Sequence, residues 1–298
     1  MSNNTKSNTD QQLENYKKKL LLPVEDLNES KTHAPWNEIP CEGVVIKLDD
    51  LVNQSGKSET PVVKKIQAKG DLKKYLEFSG QVLLSSIMRD ETIFSFSVER
   101  YAYLINELKP DYYFTPDGET YNGYTNQSEL EINRVLNETK YLLDNCQNSI
   151  AIGLIKGCTK KQIIEHIHKL IELGITLFVF HVGDFLRRGS AYEKGKVINF
   201  IKVIRKIVPF LLVYGIGSTD NFIRFNCANG FITQSHFIKA FNHKKVGNGN
   251  TTSHISGEIT RKIIMENLKR LAKALTQIET DQKLTTFLEP VEEARVNS

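Results

Sequence analysis

The sequence contains little cysteine and no long apolar run. Its four cysteines, Cys41, Cys146, Cys158 and Cys227, are far apart and form no CxxC pair, so they predict no zinc cluster. Scattered cysteines of this kind are typical of a reducing compartment. No stretch approaches the roughly 18 apolar residues of a membrane span, and the polar amino terminus lacks the apolar core of a secretory signal. We therefore expect a cytoplasmic protein that binds no metal and does not contact a membrane.

What is present is ordinary for a globular protein. A chain of 298 residues, 40% of them hydrophobic, can build one large core. Its net charge of +4 permits a polyanionic partner without requiring one. The composition predicts a mobile polar extension over residues 1–38, with a short helix around Gln11–Leu22, then a folded domain over 39–280 and a polar tail over 281–298.

Short apolar runs rich in β-branched and aromatic residues predict strands. They are Val44–Leu48, Val82–Ser85, Tyr112–Thr115, Ile150–Ile155, Thr176–His181, Phe210–Tyr214 and Phe231–Thr233. The runs are apolar on both faces, as parallel strands covered by helices are. With one further weak strand they predict an α/β fold, a (β/α)8 barrel of the TIM type. The alternative is an open doubly wound sheet, which the lack of a GxGxxG motif after the first run disfavours.

Between these runs, apolar residues recur at helical spacing. Such patterns span Ser128–Asp144, Lys160–Leu173, Lys194–Ile207, Thr219–Ala228 and Glu258–Leu275. Within the second of them, His166 and His168 cannot share a face, and we interpret them as surface and flank residues rather than metal ligands.

Active sites of such barrels lie on the loops that follow strands, which directs attention to three loops. Asp117, between Pro116 and Gly118, is either a turn residue or a carboxylate in the barrel mouth. Asp184, just after His181, either caps a helix or accepts a hydrogen bond from an amine.

The third loop carries Gly215 and Gly217, which form either a tight turn or a close approach to a ring or phosphate.

Basic residues cluster towards the carboxyl-terminal half. Arg187 and Arg188 follow the fifth run and could hold phosphate. A second group lies around the helical pattern at Glu258–Leu275, and it comprises Lys239, Lys244, Lys245, Arg261 and Lys262. Both groups either contact a nucleic-acid backbone or form a solvated surface.

Four segments resemble the tRNA-guanine transglycosylase superfamily, whose members exchange guanine for 7-deazaguanines in tRNA or DNA. KPDYYFTPDGETY (Lys109–Tyr121) is similar to the family's strand that ends in a base-reading Asp. AIGLIKGCT (Ala151–Thr159) and VFHVGD (Val179–Asp184) resemble the next two strands, and YGIGSTDNFIRFNCANG (Tyr214–Gly230) resembles the family's glycine turn with its helix. The resemblance covers roughly Gln81–Leu275.

The resemblance implies roles for individual residues. Asp117 would bind the Watson–Crick edge of the base, Asp184 would take the family's Glu position near its amide, and Gly215 and Gly217 would contact the ring. We also place His181 among the substrate-binding residues. The position of a family Gln falls at Ile155 or Lys156. Two positions depart from the family, because its catalytic carboxylates fall at Ser85 and Ser235, which we place with Asp117 as the candidate catalytic set. The family's zinc motif is absent, and no cofactor is implied.

Three functions follow as hypotheses. The first is an enzyme that replaces guanine by a 7-deazaguanine in DNA or tRNA. The second is a nucleic-acid-binding or partner subunit of the same fold without catalysis, which Ser85 and Ser235 favour. The third is an unrelated barrel enzyme that acts on a small phosphorylated substrate. The oligomeric state stays open between a homodimer and a hetero-oligomer.

Overall fold

Eight parallel strands close into a barrel, in which β1 pairs with both β2 and β8. The computed structural model describes residues 19–24, 27, 35–37, 41–53, 55–120, 124–187, 191–217, 219–234 and 257–288. The predicted (β/α)8 barrel is confirmed. The strands are β1 (Lys19–Pro23), β2 (Gly43–Lys47), β3 (Gln81–Ser85), β4 (Tyr112–Phe114), β5 (Ile150–Leu154), β6 (Leu177–His181), β7 (Phe210–Tyr214) and β8 (Gly230–Ile232).

Helices connect the strands from β2 onward. They are α1 (Pro61–Lys69), α2 (Leu72–Leu76), α3 (Asp90–Ile93), α4 (Val98–Leu108), α5 (Thr125–Asn145), α6 (Lys160–Glu172), α7 (Gly183–Arg187), α8 (Ala191–Ile207), α9 (Thr219–Arg224) and α10 (Gly257–Leu288), with short 3-10 helices at Pro35–Asn37 and Leu48–Asp50. Four of the predicted helical patterns correspond to α5, α6, α8 and α9, with ends shifted by four residues or fewer.

The seven predicted strand runs are β2 to β8, and their alternating side chains build two apolar layers. Val45, Leu83 and Phe114 point into the barrel and fill its interior. Val44 and Leu84 point outward and pack under the helices. Burial on both faces explains why the runs are apolar throughout.

The first strand lies within residues 1–38, where a mobile extension was predicted, and that prediction was wrong over Lys19–Pro23. Lys19–Pro23 pairs with β2 and β8, so the barrel begins at or before Lys19 and not at residue 39. The predicted helix at Gln11–Leu22 is wrong over Lys19–Leu22; its earlier residues lie outside the described ranges. A run of three leucines favours neither helix nor strand. Hydrogen bonding to β2 on one side and β8 on the other therefore makes this segment a strand.

The last helix is longer than predicted. α10 runs from Gly257 to Leu288, so the polar tail predicted from residue 281 begins inside it. Ile264, Leu268 and Leu271 are buried, and α10 packs against α9. Within the described residues, no helix combines the length and hydropathy needed to cross a membrane.

The same alternation brings polar residues to the carboxyl ends of the strands. Lys47 and Ser85 are paired in register. They lie two residues after the inward-facing Val45 and Leu83, and so on the same face of their strands. Lys156 lies two residues after the inward-facing Leu154, and His181 two after Val179. This end of the barrel, the mouth, is therefore lined by polar groups over an apolar interior.

Candidate active site at the barrel mouth

The mouth holds a buried ion pair between two neighbouring strand ends. Asp117 follows β4 and Lys156 follows β5, and Lys156 Nζ lies 2.7 Å from Asp117 Oδ1. The side chains of Lys156 and Asp117 are 16% and 8% exposed. Either charge alone would be costly to keep this far from water, so each depends on the other. Asp117 and Lys156, both predicted site residues, are thus in direct contact.

The loop that carries Asp117 is held in place on both sides. Thr115 Oγ1 accepts a hydrogen bond from the Leu154 N–H at 2.8 Å, and an Arg134 guanidinium nitrogen donates to the Asp117 carbonyl at 2.9 Å. The Asp117 carboxylate also accepts the Gly118 N–H at 2.8 Å. Asp117 therefore places a buried carboxylate in the mouth, the second of the two roles that the sequence allowed, and no hydrogen-bonded turn is assigned at Pro116–Gly118.

Arg134 on α5 belongs to a second charged group beside the mouth. It contacts Glu131 Oε2 at 2.9 Å and Glu138 Oε1 at 2.7 Å. A narrow pocket adjoins this group, with about 290 Å³ of empty space that is partly open to solvent. Phe96 and Tyr101 line its apolar side, and Asp117 lines it as well. Asp117 is thus shared between the mouth and the pocket.

Glu119 makes this side of the mouth acidic. Burial raises the pKa of its carboxyl, and the nearby charges of Asp90, Glu131 and Asp117 raise it further, while Lys156 opposes the shift. Burial raises the pKa of the Glu138 carboxyl as well, although its contact with Arg134 opposes the shift. Glu119 lies two residues after Asp117, within the KPDYYFTPDGETY segment.

Ser85 is the last residue of β3 and lies at the mouth. β3 itself carries no Asp or Glu. Ser85 is fully buried, and its Oγ accepts the Ile87 N–H at 3.2 Å. Its neighbour Ser86 points to the other face and donates to the Thr115 carbonyl at 2.6 Å. Ser86 therefore ties β3 to β4, whereas Ser85 faces the interior opposite Lys47.

The prediction that His166 is a surface residue was wrong. His166 is fully buried on α6, and its Nδ1 accepts the Lys156 N–H at 3.0 Å. Burial, with the charges of Lys156 and Lys169, lowers its pKa to about 3, so the ring is neutral. The signal was present, because position 166 lies one turn from both Ile163 and Leu170 on the apolar stripe of the helix.

The other side of the mouth is formed by the ends of β6 and β7. The His181 ring lies 5.3 Å from that of Tyr214. Gly215 has a φ of 91°, and a Cβ there would lie 2.8 Å from the Gly183 backbone nitrogen. Close packing between the two loops thus explains this glycine, whereas Gly217 faces open space.

Several predicted site residues lie outside the described residues. They are Ser235, Arg188, Lys239, Lys244 and Lys245. Asp184 and Arg187 lie in α7 and Arg261 lies in α10, but their side chains are likewise outside what the structure describes. Lys262 is exposed on α10. The predicted roles of all these residues stay predictions.

In the described part of the chain, no group of three or more His, Cys, Asp or Glu side chains is arranged to hold a metal ion. No protein-family model matches the chain, and no curated protein matches its sequence. The geometry of the mouth is therefore the basis on which a function can be inferred.

Proposed function

We propose that the chain is a nucleobase-exchanging transglycosylase that replaces guanine by a 7-deazaguanine in DNA or tRNA. The observation that carries the proposal is the buried pair of Asp117 and Lys156 at neighbouring strand ends in the mouth. It adds a physical reason to the sequence resemblance, because the pair presents an acceptor and a donor side by side in a site removed from water.

The two groups are complementary to the amide edge of guanine. Guanine offers adjacent donors at N1 and its exocyclic amine, and Oδ2 of Asp117 is the oxygen that would accept from this edge, because Oδ1 already accepts from Gly118 and Lys156. It offers an acceptor at O6, to which an ammonium such as that of Lys156 donates. A 7-deazaguanine keeps this edge unchanged, so one site serves the outgoing and the incoming base.

The reaction breaks the bond from sugar C1′ to the outgoing guanine and forms the same bond to the incoming base. The outgoing base gains a proton and the incoming base loses one, so a group that holds a proton between the steps is needed. We assign this role to Glu119, because burial and the neighbouring carboxylates raise the pKa of its carboxyl. Positive charge develops on the sugar, and nearby carboxylates stabilise it.

The polymer would approach from the less acidic side of the mouth. Asp90, Glu119 and Glu131 repel phosphates on the β3–β4 side. The basic groups predicted to contact the backbone, which include Arg187 and Lys262, follow β6 or lie beyond β8 in the sequence. We propose that the base enters over the acidic side while the phosphates contact the basic side.

A second candidate is a partner subunit that binds the same base edge without breaking the glycosidic bond. Ser85 favours this candidate, because it stands where the resembled family has a catalytic carboxylate. Its Oγ already accepts the Ile87 N–H, and a hydroxyl is a poor substitute for a carboxylate beside a positively charged sugar.

The test is base exchange by the purified full chain. Radiolabelled guanine, and separately labelled 7-cyano-7-deazaguanine, is incubated with tRNA and with duplex DNA. We expect label to enter one of the two polymers, Asp117→Asn and Lys156→Met to abolish incorporation, and excess unlabelled adenine not to compete.

The matched control is Lys161→Met, which removes an exposed lysine that forms a surface pair with Glu165 and should leave incorporation unchanged. Absence of incorporation, with salt-sensitive and guanine-competed binding of one polymer, would support the second candidate instead. Absence of both incorporation and binding would refute both functions.

A further inference from the structure

The turn that follows β5 is held by side chains at three consecutive backbone N–H groups. The Lys156 N–H donates to His166 Nδ1 at 3.0 Å, and the Gly157 N–H to Thr120 Oγ1 at 3.3 Å. The Cys158 N–H donates to Gln162 Oε1 at 3.1 Å. Two of the three acceptors belong to α6, the helix that begins directly after this turn.

The turn needs these acceptors because it has left the sheet. In β5 the backbone N–H groups bond to a neighbouring strand, but Gly157 has a φ of 140° and turns the chain away from it. Cys158 is buried, so its N–H and that of its neighbours cannot rely on water. His166 and Gln162 stand one helical turn apart and face the turn from below.

His166 is suited to accept and not to donate at this position. Nδ1 is the acceptor, so the ring proton lies on Nε2, and Nε2 is buried without a hydrogen-bond partner among the described residues. A second ring proton would have to displace the Lys156 N–H. The lowered pKa keeps the ring neutral, so this acceptor persists across the neutral pH range.

We propose that His166 is a positioning residue for Lys156. It fixes the backbone of Lys156 through its N–H, and thereby directs the ammonium to the Asp117 carboxylate 2.7 Å away. Gln162 supports the same turn and ties it to α5, since its Nε2 donates to the Thr125 carbonyl at 2.9 Å. The inference rests on the proposed function only in treating the Asp117–Lys156 pair as the group that contacts the base.

Its geometry gives a rescue pair of variants. In His166→Asn the side-chain oxygen takes nearly the place of Nδ1, so the acceptor is kept. In His166→Gln the amide lies nearer the place of Nε2, so the acceptor at Nδ1 is lost. The two variants have similar polarity. If His166 only filled space, His166→Asn would not preserve the position of Lys156 better than His166→Gln.

The experiment is NMR of the full chain without any ligand. We expect the Lys156 amide to exchange about tenfold faster in His166→Gln than in wild type, the loss that one buried hydrogen bond produces, and to stay protected in His166→Asn. With ¹³Cε-labelled lysine, and Lys156→Met for assignment, the Cε chemical shift of Lys156 should change in His166→Gln and not in His166→Asn. Equal exchange rates or equal Lys156 Cε chemical shifts in the two variants would overturn the proposal.

A measurement on wild type keeps the test decisive if a variant fails to fold. An N–H···N hydrogen bond gives a scalar coupling between its two nitrogens, so Lys156 N and His166 Nδ1 should show one in a doubly labelled sample. A missing coupling would overturn the proposal. Because no substrate is present, failure of base exchange leaves these results unaffected, and failure here leaves the base-exchange result standing.

Discussion

The buried neutral His166 predicts a specific loss of stability in acid. Its pKa is lowered from 6.5 to about 3 in the folded protein, mainly by burial. Between these values the unfolded chain binds a proton at this ring and the native protein does not. The free energy of unfolding therefore rises with pH in this window. The stability that comes from keeping His166 neutral is fully present above pH 6.5 and is lost as the pH falls towards 3.

The size of the effect follows from 1.36 kcal/mol per pKa unit. Between pH 7.5 and 5, proton uptake by the unfolded ring costs the native state about 2 kcal/mol, and by pH 4 about 3 kcal/mol. The value at pH 5 depends mainly on the ordinary pKa of the unfolded ring, because the native pKa lies well below 5. It is therefore insensitive to the precise burial of the ring.

The assay is urea unfolding of wild type and His166→Asn at pH values from 7.5 to 4. The other histidines and the carboxyl groups titrate in both proteins, so the difference between the two curves isolates His166. We expect the variant to lose about 2 kcal/mol less than wild type between pH 7.5 and 5. His168→Asn removes an exposed imidazole from the same helix and keeps His166, so it should follow the wild-type curve. Parallel curves for wild type and His166→Asn would refute the reasoning.

Three further predictions concern the mouth, and urea or thermal unfolding measures each. Lys156→Met should destabilise the protein by about 3–5 kcal/mol because it leaves Asp117 charged and buried, and adding Asp117→Asn should restore part of the loss; an additive double mutant would contradict this. Gly215→Ala should cost about 1–3 kcal/mol, because its φ of 91° and its contact with a neighbouring loop exclude a Cβ, whereas Gly217→Ala should stay within about 0.5 kcal/mol; equal effects would contradict the packing argument. Arg134→Met should cost about 1–3 kcal/mol and speed proteolysis of the loop after β4, since it removes the donor to the Asp117 carbonyl; an unchanged cleavage rate would show that the loop does not depend on it.

The barrel could be read from the sequence because its signal is local and repeated. Runs such as Phe210–Tyr214 are apolar at every position, and stripes such as that of α6 recur every three or four residues. These patterns depend only on which faces of an element are buried, and buried positions carry apolar residues. β1 was not predicted, because its short leucine run has no strand pattern of its own. It forms a strand by pairing with β2 and β8.

The site was only partly predictable, because its contacts join residues that are far apart in the sequence. Asp117 and Lys156 could be named because each follows a strand run, but 39 positions separate them in the sequence and nothing local indicates an ion pair. The burial of His166 could have been predicted from helical spacing, but spacing does not predict which backbone N–H the ring meets. Contacts of this kind depend on where the next strand and helix are packed.

The sequence by itself therefore determined the (β/α)8 fold and the loops on which a site could lie, because hydrophobic periodicity acts over a few residues. Only the tertiary structure decided that Asp117 and Lys156 neutralise each other and that His166 holds the turn after β5. Closure of the barrel brings adjacent strand ends together, and their burial makes each charge and each N–H depend on a partner distant in the chain.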